Sequence, residues 1–355
     1  MKLFNNAPGV EWSPNGSEET APMRPARPSD APFPLTCPAC DSELGVDGYC
    51  LQCGQKAKSL RDHFELNPTQ WLSGVCDIGL AHVRNEDGIA CMADGNRAVI
   101  VVCDGVTTSQ DSDVASLAAA RTACDLLWMN NPQGTGTATS RTAAIRAVLT
   151  HAVQAANQAV IETADSLTPN SAATTIVIAV VDDKQIHCAN LGDSRAYWLP
   201  DDDEPLQISK DHSLAQDGID SGAKRSEAES ATYAHTITRW LGFDAIDLTP
   251  HLTNMDLTQD GWLVVCSDGL WNYASEASAI AGLVERFAAN NASAAEVALG
   301  LVAWANEQGG HDNVTVACAR LAVTASASAG ESLSSTDLSS PGEPDTSSNE
   351  AELIS

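Results

Sequence analysis

The stretch that most constrains this chain is Ala98-Val99-Ile100-Val101-Val102-Cys103, which runs directly into Asp104-Gly105. Six apolar residues, four of them β-branched, form the short continuous pattern of a buried strand. The run ends where polar atoms can no longer be hidden, and it places a carboxylate there. Gly105 then allows the backbone to approach closely whatever that carboxylate holds. One Asp-Gly after a strand is most often a turn, but the pattern recurs. Trp262-Leu263-Val264-Val265-Cys266-Ser267-Asp268-Gly269 repeats it, and the run from Ile186 ends in Gly192-Asp193. Three strand-like runs that each deliver an aspartate to an open end point to an enzyme core.

At 355 residues the chain has room for one large domain or two ordinary ones. Its formal net charge of −28 argues against partners with anionic backbones or surfaces, so neither nucleic acid nor an anionic membrane is expected. No apolar stretch approaches the roughly 18 residues that span a bilayer. The start of the chain lacks a basic segment followed by an apolar one, so no signal peptide is expected. Of eleven cysteines, Cys103, Cys188, Cys266 and Cys318 sit inside apolar runs and read as small buried hydrophobes. These features predict a reduced, cytoplasmic protein.

Residues 1–36 are rich in Pro, Asn, Ser and Glu without a period and read as disordered. Cys37-Pro-Ala-Cys40 and Cys50-Leu-Gln-Cys53 follow, two knuckles able to give four thiolates to one tetrahedral zinc ion. Residues 37–54 are therefore expected to form a small structural zinc ribbon, because four sulfurs leave the metal no open position. Residues 55–70, with Lys56, Lys58 and Arg61, read as a linker. A globular composition runs over residues 71–322, and residues 323–355 form an acidic tail with six acidic and no basic residues. Apolar residues at three- and four-residue spacing predict helices at Val114–Asn130, Arg141–Thr163, Glu276–Asn290 and Ala294–Gln308. Strands are predicted at Ala98–Cys103, Thr174–Val181, Ile186–Asn190, Ala196–Leu199, Trp262–Cys266 and Val314–Leu321. Helices come in pairs between groups of strands, which favours an antiparallel α+β sandwich over a doubly wound parallel sheet.

The acids at strand ends and adjoining loops are Glu86, Asp87, Asp104, Asp193, Asp268 and Asp312. If they converge, their repulsion destabilises the fold unless cations neutralise it. Oxygen-only ligands select hard divalent ions, Mg²⁺ or Mn²⁺, over zinc. Taken in order, Asp77-Ile-Gly79, Asn85-Glu86-Asp87, Asp104-Gly105, Ala173-Thr174-Thr175, Gly192-Asp193-Ser194-Arg195, Asp211-His212-Ser213, Ser267-Asp268-Gly269 and Gly310-His311-Asp312-Asn313-Val314-Thr315 resemble the metal-dependent PPM-type (type 2C) Ser/Thr protein phosphatases. The resemblance covers about residues 72–321 and implies two antiparallel sheets flanked by helix pairs.

The resemblance also implies roles. Asp104 bridges two metals, with Asp268 and Asp312 completing the first site and Glu86 and the Gly105 carbonyl holding the second. Asp87 binds waters of the metals, Asp193 matches the position linked to a third ion, and Asn313 ties down the loop carrying Asp312. The polar segment Ala215–Thr236 matches the family's flap. The implied activity is hydrolysis of phosphoserine and phosphothreonine in proteins, opposing a Ser/Thr kinase. The alternative is a pseudophosphatase that recruits partners through ribbon and flap. Two departures stand out. Val106-Thr107-Thr108 follows Asp104-Gly105, without the histidine proposed as general acid in some relatives. His82 stands where relatives carry a phosphate-clamping arginine. Because His82, Arg84 and Glu86 are two residues apart, an extended segment would put all three on one face, with His82 and Arg84 near the phosphate.

Overall fold

The run that ends in Asp104 is covered from both sides, and the architecture follows from what covers it. The structure is a computed structural model describing residues 36–323, apart from 46–47, 56, 58, 110, 131–135 and 164–170. The disordered segment read over 1–36 and the acidic tail read over 323–355 lie outside the described residues except for Thr36 and Val323.

The chain begins its regular structure with β1 (His63–Leu66), β2 (Leu72–Asp77), β3 (Gly88–Asp94), β4 (Arg97–Cys103), α1 (Ser112–Met129) and α2 (Ala138–Glu162). It continues through β5 (Ala173–Thr174), β6 (Ile176–Asp182), β7 (Gln185–Leu191), β8 (Arg195–Pro200), β9 (Leu206–Gln207), α3 (Leu214–Asp220) and α4 (Arg225–Glu229). The last elements are β10 (Leu241–Gly242), β11 (His251–Asp256), β12 (Gly261–Cys266), α5 (Asp268–Trp271), α6 (Ala277–Phe287), α7 (Ala294–Gln308) and β13 (Val314–Leu321). One sheet has the order β11-β7-β6-β4-β3, the other β1-β2-β13-β12-β8-β9, and β5 pairs with β10. Every pairing is antiparallel.

Alternation along β4 sorts its residues into two cores. Val99, Val101 and Cys103 pack with Ala119, Ala120, Leu149 and Val153 of α1 and α2. Ala98, Ile100 and Val102 pack against Leu263, Val265, Ala317 and Ala319 of the other sheet. The outer face of β12, Trp262, Val264 and Cys266, meets Ile280, Val284, Val297 and Leu301 of α6 and α7. Layers thus run helix pair, sheet, sheet, helices. A strand dry on both faces has no polar side to alternate with, hence the unbroken apolar runs. Each fully buried Val or Ile contributes about 1.5–3 kcal/mol. This is the α+β sandwich the sequence predicts, and among the described residues no helix is long and apolar enough to cross a membrane.

The four long helices fall within three residues of their predicted ends. The exception in length is α6, which stops at Phe287 because Asn290 and Asn291 both take left-handed backbone conformations that no helix continues through. The stretch read as linker needs a correction. His63–Leu66 pairs with β2 as an edge strand, Phe64 packs on the inter-sheet core, and Arg61 is half-buried. Only four residues long and alternately exposed, β1 leaves too little pattern to be recognised. Strands β2, β3 and β11 were likewise missed, the first two because Gly and Ala dilute the apolar signal, the third because it is a polar edge. The segment Ala215–Thr236 holds α3 and α4, which share a small cluster of Ala215, Ala228, Ala234 and Ile219. Its base closes through Leu214 N–H donating to Thr236 O at 3.0 Å.

Candidate active site

Register brings the acids to one end of the sandwich. In the first sheet Gly88 pairs with Cys103, so Asp87 and Asp104 are neighbours at the end of β3 and β4. In the second, Cys266 pairs with Val316 and Asp77 with Val314, which sets Asp268 beside the Asp312-Asn313 turn. Asp104 is locked by its backbone: its N–H donates to Thr175 Oγ1 at 3.0 Å, and its carbonyl accepts from Thr175 N–H and Thr174 Oγ1, both at 2.8 Å. Thr175 Oγ1 lies 2.7 Å from Ser194 Oγ, which brings the Gly192-Asp193-Ser194 turn alongside.

Two hydrogen bonds join the ends of the sheets. Ser267 Oγ donates to Asp87 Oδ2 at 2.7 Å, and Glu86 N–H donates to Asn313 Oδ1 at 2.8 Å. Asn313 Nδ2 in turn donates to the carbonyls of Ile78 (2.8 Å) and Arg84 (3.1 Å), so one side chain braces the loop carrying Glu86. Gly79, at φ +75°, lets that loop lie against the carbonyl of Asp312, where a Cβ would collide. A Cβ on Gly105 would stand 2.5 Å from the Glu86 carbonyl. Both glycines are required by close approach.

Glu86, Asp87 and Asp193 are buried, whereas Asp104, Asp268 and Asp312 are half-exposed around them. Burial, then repulsion from Asp268, Asp87, Asp312 and Asp193, holds the Asp104 carboxyl well above the usual range. Burial also pushes Asp87 up to about 7 against the bonds from Ser267 and Thr315, with Asp312 and Asp268 adding repulsion. Asp268 rises to about 6 through burial and Asp312, although bonds with Asp104 and Asn272 pull it down. Asp193 is raised by burial, Asp268 and Asp211, with Arg195 opposing.

Arg84 and His82 lie at the rim. Arg84 Nη2 pairs with Glu86 Oε1 at 2.5 Å and Nη1 with Asp113 at 3.5 Å, while His82 Nε2 lies 3.2 Å from Asp312 Oδ1. The extended face predicted for His82, Arg84 and Glu86 does not form. The chain bends at Val83–Arg84, where the Arg84 carbonyl accepts from Asn313 Nδ2 at 3.1 Å, and just upstream the N–H groups of Leu80 and Ala81 donate to the Gly310 carbonyl, so the segment joins no ladder. Arg84 therefore faces Glu86, and His82 faces Asp312. Sequence reasoning missed Ser112, whose Oγ donates to Glu86 Oε1 at 2.5 Å, and Arg61, whose Nη2 donates to the Asp87 carbonyl. No signal flags a lone serine before a helix.

The donor set suits a hard cation. All its atoms are oxygens, and Asp87 Oδ1 and Asp268 Oδ1 are buried without a hydrogen-bond partner. Among the described residues no three acids bring carboxylate oxygens within 4.8 Å of one another. Among the described residues only Cys37, Cys40, Cys50 and Cys53 form a group of three or more His, Cys, Asp or Glu whose ligand atoms lie within 4.8 Å of one another. Cys37 and Cys53 sulfurs are 3.7 Å apart and those of Cys40 and Cys50 3.4 Å, close to the roughly 3.8 Å edge of a tetrahedral zinc–sulfur site. The N–H groups of Ala39, Gln52 and Cys53 donate to these sulfurs at 3.4 Å. The Cys53 N–H, against burial, helps lower Cys50 to about 6. Gln55 N–H pulls Cys53 down too, yet the neighbouring sulfurs override it and push it to about 12. The four sulfurs are placed so that they could hold one metal ion.

Fold and site together define an α+β sandwich that gathers carboxylates at one end of its two sheets. The chain belongs to the protein phosphatase 2C family, whose description matches residues 81–305, more than half of it. It is 28% identical over 244 residues to the serine/threonine phosphatase stp of Listeria innocua, an alignment covering 68% of this chain and 91% of the relative. The solved serine/threonine phosphatase PstP/Ppp of Mycobacterium tuberculosis superposes with a TM-score of 0.57 at 27% identity, covering 71% of this chain and 98% of that one. A catalytic domain of PstP solved with two manganese ions gives a TM-score of 0.54 at 25% identity over 70% and 97%. β1, β2, the four cysteines and Asp312 fall outside the family match.

Proposed function

We propose that this chain is a metal-dependent protein phosphatase that hydrolyses phosphoserine and phosphothreonine and opposes a Ser/Thr kinase. The observation that carries this reading is the convergence of Asp87, Asp104, Asp268 and Asp312 at one end of the sandwich, with two carboxylate oxygens left buried and unpartnered. In this reading Asp104 serves two Mg²⁺ or Mn²⁺ ions, Asp268 and Asp312 complete one site, and Glu86 with the Gly105 carbonyl the other. Asp87 acts through water, and Asp193 attends a third, weaker ion. When bound, such ions lower the pKa of water and offset charge developing on the phosphoryl oxygens.

The chain's own groups do the rest. Ser267 fixes the Asp87 carboxylate at 2.7 Å, and Thr174 and Thr175 fix the backbone of Asp104, so both carboxylates are held before substrate arrives. In this reading His82, at the rim beside Asp312, and Arg84, beside Glu86, bind the phosphate dianion, with His82 the principal contact because Arg84 is already paired with Glu86 and Asp113. Cys37, Cys40, Cys50 and Cys53 hold one structural zinc. The M. tuberculosis and L. innocua phosphatases support the substrate class by likeness.

The test is phosphate release from a phosphothreonine peptide with Mn²⁺, with EDTA, and by Asp104→Asn. Turnover should stop in EDTA and fall below about a tenth of wild type in the variant at saturating Mn²⁺, several kcal/mol of transition-state stabilisation being lost. A folded variant that keeps more than that would remove Asp104 from the centre of the mechanism.

A further inference from the structure

Arg61 belongs to the span between the cysteine ribbon and the first core strand, yet its side chain ends beneath the acids. Its Nη2 donates to the carbonyl of Asp87 and, at 3.3 Å, to that of Asp113. Its Nη1 reaches Cys76 Sγ at 3.6 Å, and the guanidinium lies 5.4 Å from the centre of the Phe64 ring. Its own carbonyl accepts from Asn85 Nδ2 at 3.0 Å, and Asn85 Oδ1 accepts from the Asp87 N–H at 3.2 Å. Asn85 is fully buried, so this ring of bonds has no water to fall back on.

The two carbonyls that Arg61 holds belong to the two segments that hold Glu86 and Asp87. Asp113 follows Ser112, whose hydroxyl donates to Glu86 Oε1. Asp87 follows Glu86 directly. One guanidinium therefore clamps the first turn of α1 to the entry of β3, a task for a planar, always-charged fork of donors. Arg61 is itself set by a local turn: Ser59 N–H donates to Asp62 Oδ2 at 2.7 Å, Arg61 N–H to Ser59 Oγ at 3.2 Å, and Ile78 N–H to the Asp62 carbonyl at 2.7 Å.

We propose that Arg61 is a positioning residue for the cation site, fixing Glu86 and Asp87 relative to each other without touching ion or substrate. The proposal rests on the reading that these two acids serve that site. Partners one step removed from metal ligands typically change metal affinity by about 10–100-fold when lost.

The experiment measures Mn²⁺ affinity by calorimetry on the full, zinc-replete chain, with kcat and KM for p-nitrophenyl phosphate, in wild type, Arg61→Ala, Arg61→Lys and Leu66→Ala. Leu66→Ala removes β1 packing on the inter-sheet core and leaves the partners of Arg61 in place. Arg61→Ala should weaken Mn²⁺ about ten-fold and leave KM unchanged once Mn²⁺ saturates. Arg61→Lys, which keeps the charge and loses the fork, should weaken it by less, and it carries the comparison should the alanine variant not fold. Leu66→Ala should lower Tm and leave Mn²⁺ affinity within about two-fold of wild type. Wild-type affinity in both Arg61 variants, or an equal loss in Leu66→Ala, would overturn the proposal. A wild-type chain that binds no Mn²⁺ at the acid cluster would overturn the cation reading beneath it.

Discussion

At the residue scale, the proposed reading leaves His82 as the phosphate contact, since Arg84 is committed to Glu86 and Asp113 while His82 lies 3.2 Å from Asp312. Arginine at this position would carry its charge at any working pH and offer two parallel donors to a phosphate. His82→Arg should therefore lower KM for a phosphopeptide at pH 8 by about three-fold or more, whereas Arg84→Ala should change KM less than His82→Ala. A rise in KM confined to Arg84→Ala would move the phosphate contact to Arg84.

Asp87 permits a test of the buried charge without substrate. Its carboxyl sits at about 7 in the folded chain and at 3.8 when unperturbed, the difference arising first from burial. Between those values the folded state binds more protons than the unfolded, so stability falls as pH rises through the window, the full cost being present above about 7. In EDTA, wild type should lose stability relative to Asp87→Asn between about pH 4 and 7, so that the Tm advantage of the variant widens over that range and levels off above it. Thermal unfolding of both proteins at several pH values measures this, and a pH-independent gap would contradict it. Asp104, Asp193 and Asp268 were legible because each ends an apolar run, whereas Glu86, Asp87 and Asp312 precede their strands and were legible only through the ordered set of motifs. Ser267, Ser112 and Arg61 were not, because a single side chain that braces a ligand has no periodic partner in sequence.

At the scale of elements, the long helices and doubly buried strands announced themselves, and what escaped notice is short, polar or edge-placed. Strand β1, the four-residue α5 and the two helices inside Ala215–Thr236 owe their structure to tertiary contacts more than to propensity. The clearest such contact is Arg195 on β8. Fully buried, it stacks over the Trp271 ring at 3.6 Å and donates to Asp211 Oδ2 from Nε (2.9 Å) and Nη2 (2.7 Å). It also reaches Ser275 Oγ at 3.0 Å and Glu229 of α4 at 3.1 Å. One side chain thus binds β8, α4 and the turn after α5. Arg195→Leu would leave Asp211 buried without its counter-charge, a loss of about 3–5 kcal/mol. Urea unfolding should show that loss, with a smaller one for Glu229→Gln, which removes the charge on α4 that Arg195, Arg225 and Ser275 share but keeps an acceptor oxygen. Equal, small losses in both would mean that Arg195 is not what anchors α4.

For the whole molecule, the question is whether the four-cysteine segment is a separate unit or part of the catalytic machinery. The sequence divides the chain at a linker over 55–70, and the structure shortens that division. Ala57 still belongs to the ribbon, since its N–H donates to the Gly48 carbonyl at 2.8 Å, while the turn that sets Arg61 begins at Ser59. Only Lys58 separates the two in sequence, and no spacer composition could have marked so short a division. The sulfur geometry should hold about one zinc per chain, and four thiolates leave it no position for a reactant. From this follow opposite outcomes for two truncations. A chain beginning at residue 59 keeps the Ser59–Asp62 turn, Arg61 and β1, and should retain activity on a small phosphate ester within about two-fold, zinc being absent. A chain beginning at residue 71 lacks the clamp on Asp87 and exposes the edge of β2, and should bind Mn²⁺ weakly or aggregate. Zinc content by atomic absorption, Mn²⁺ titration and initial rates on both forms decide the matter. If the chain beginning at 59 is folded, binds Mn²⁺ normally and is inactive, the ribbon belongs to the active site.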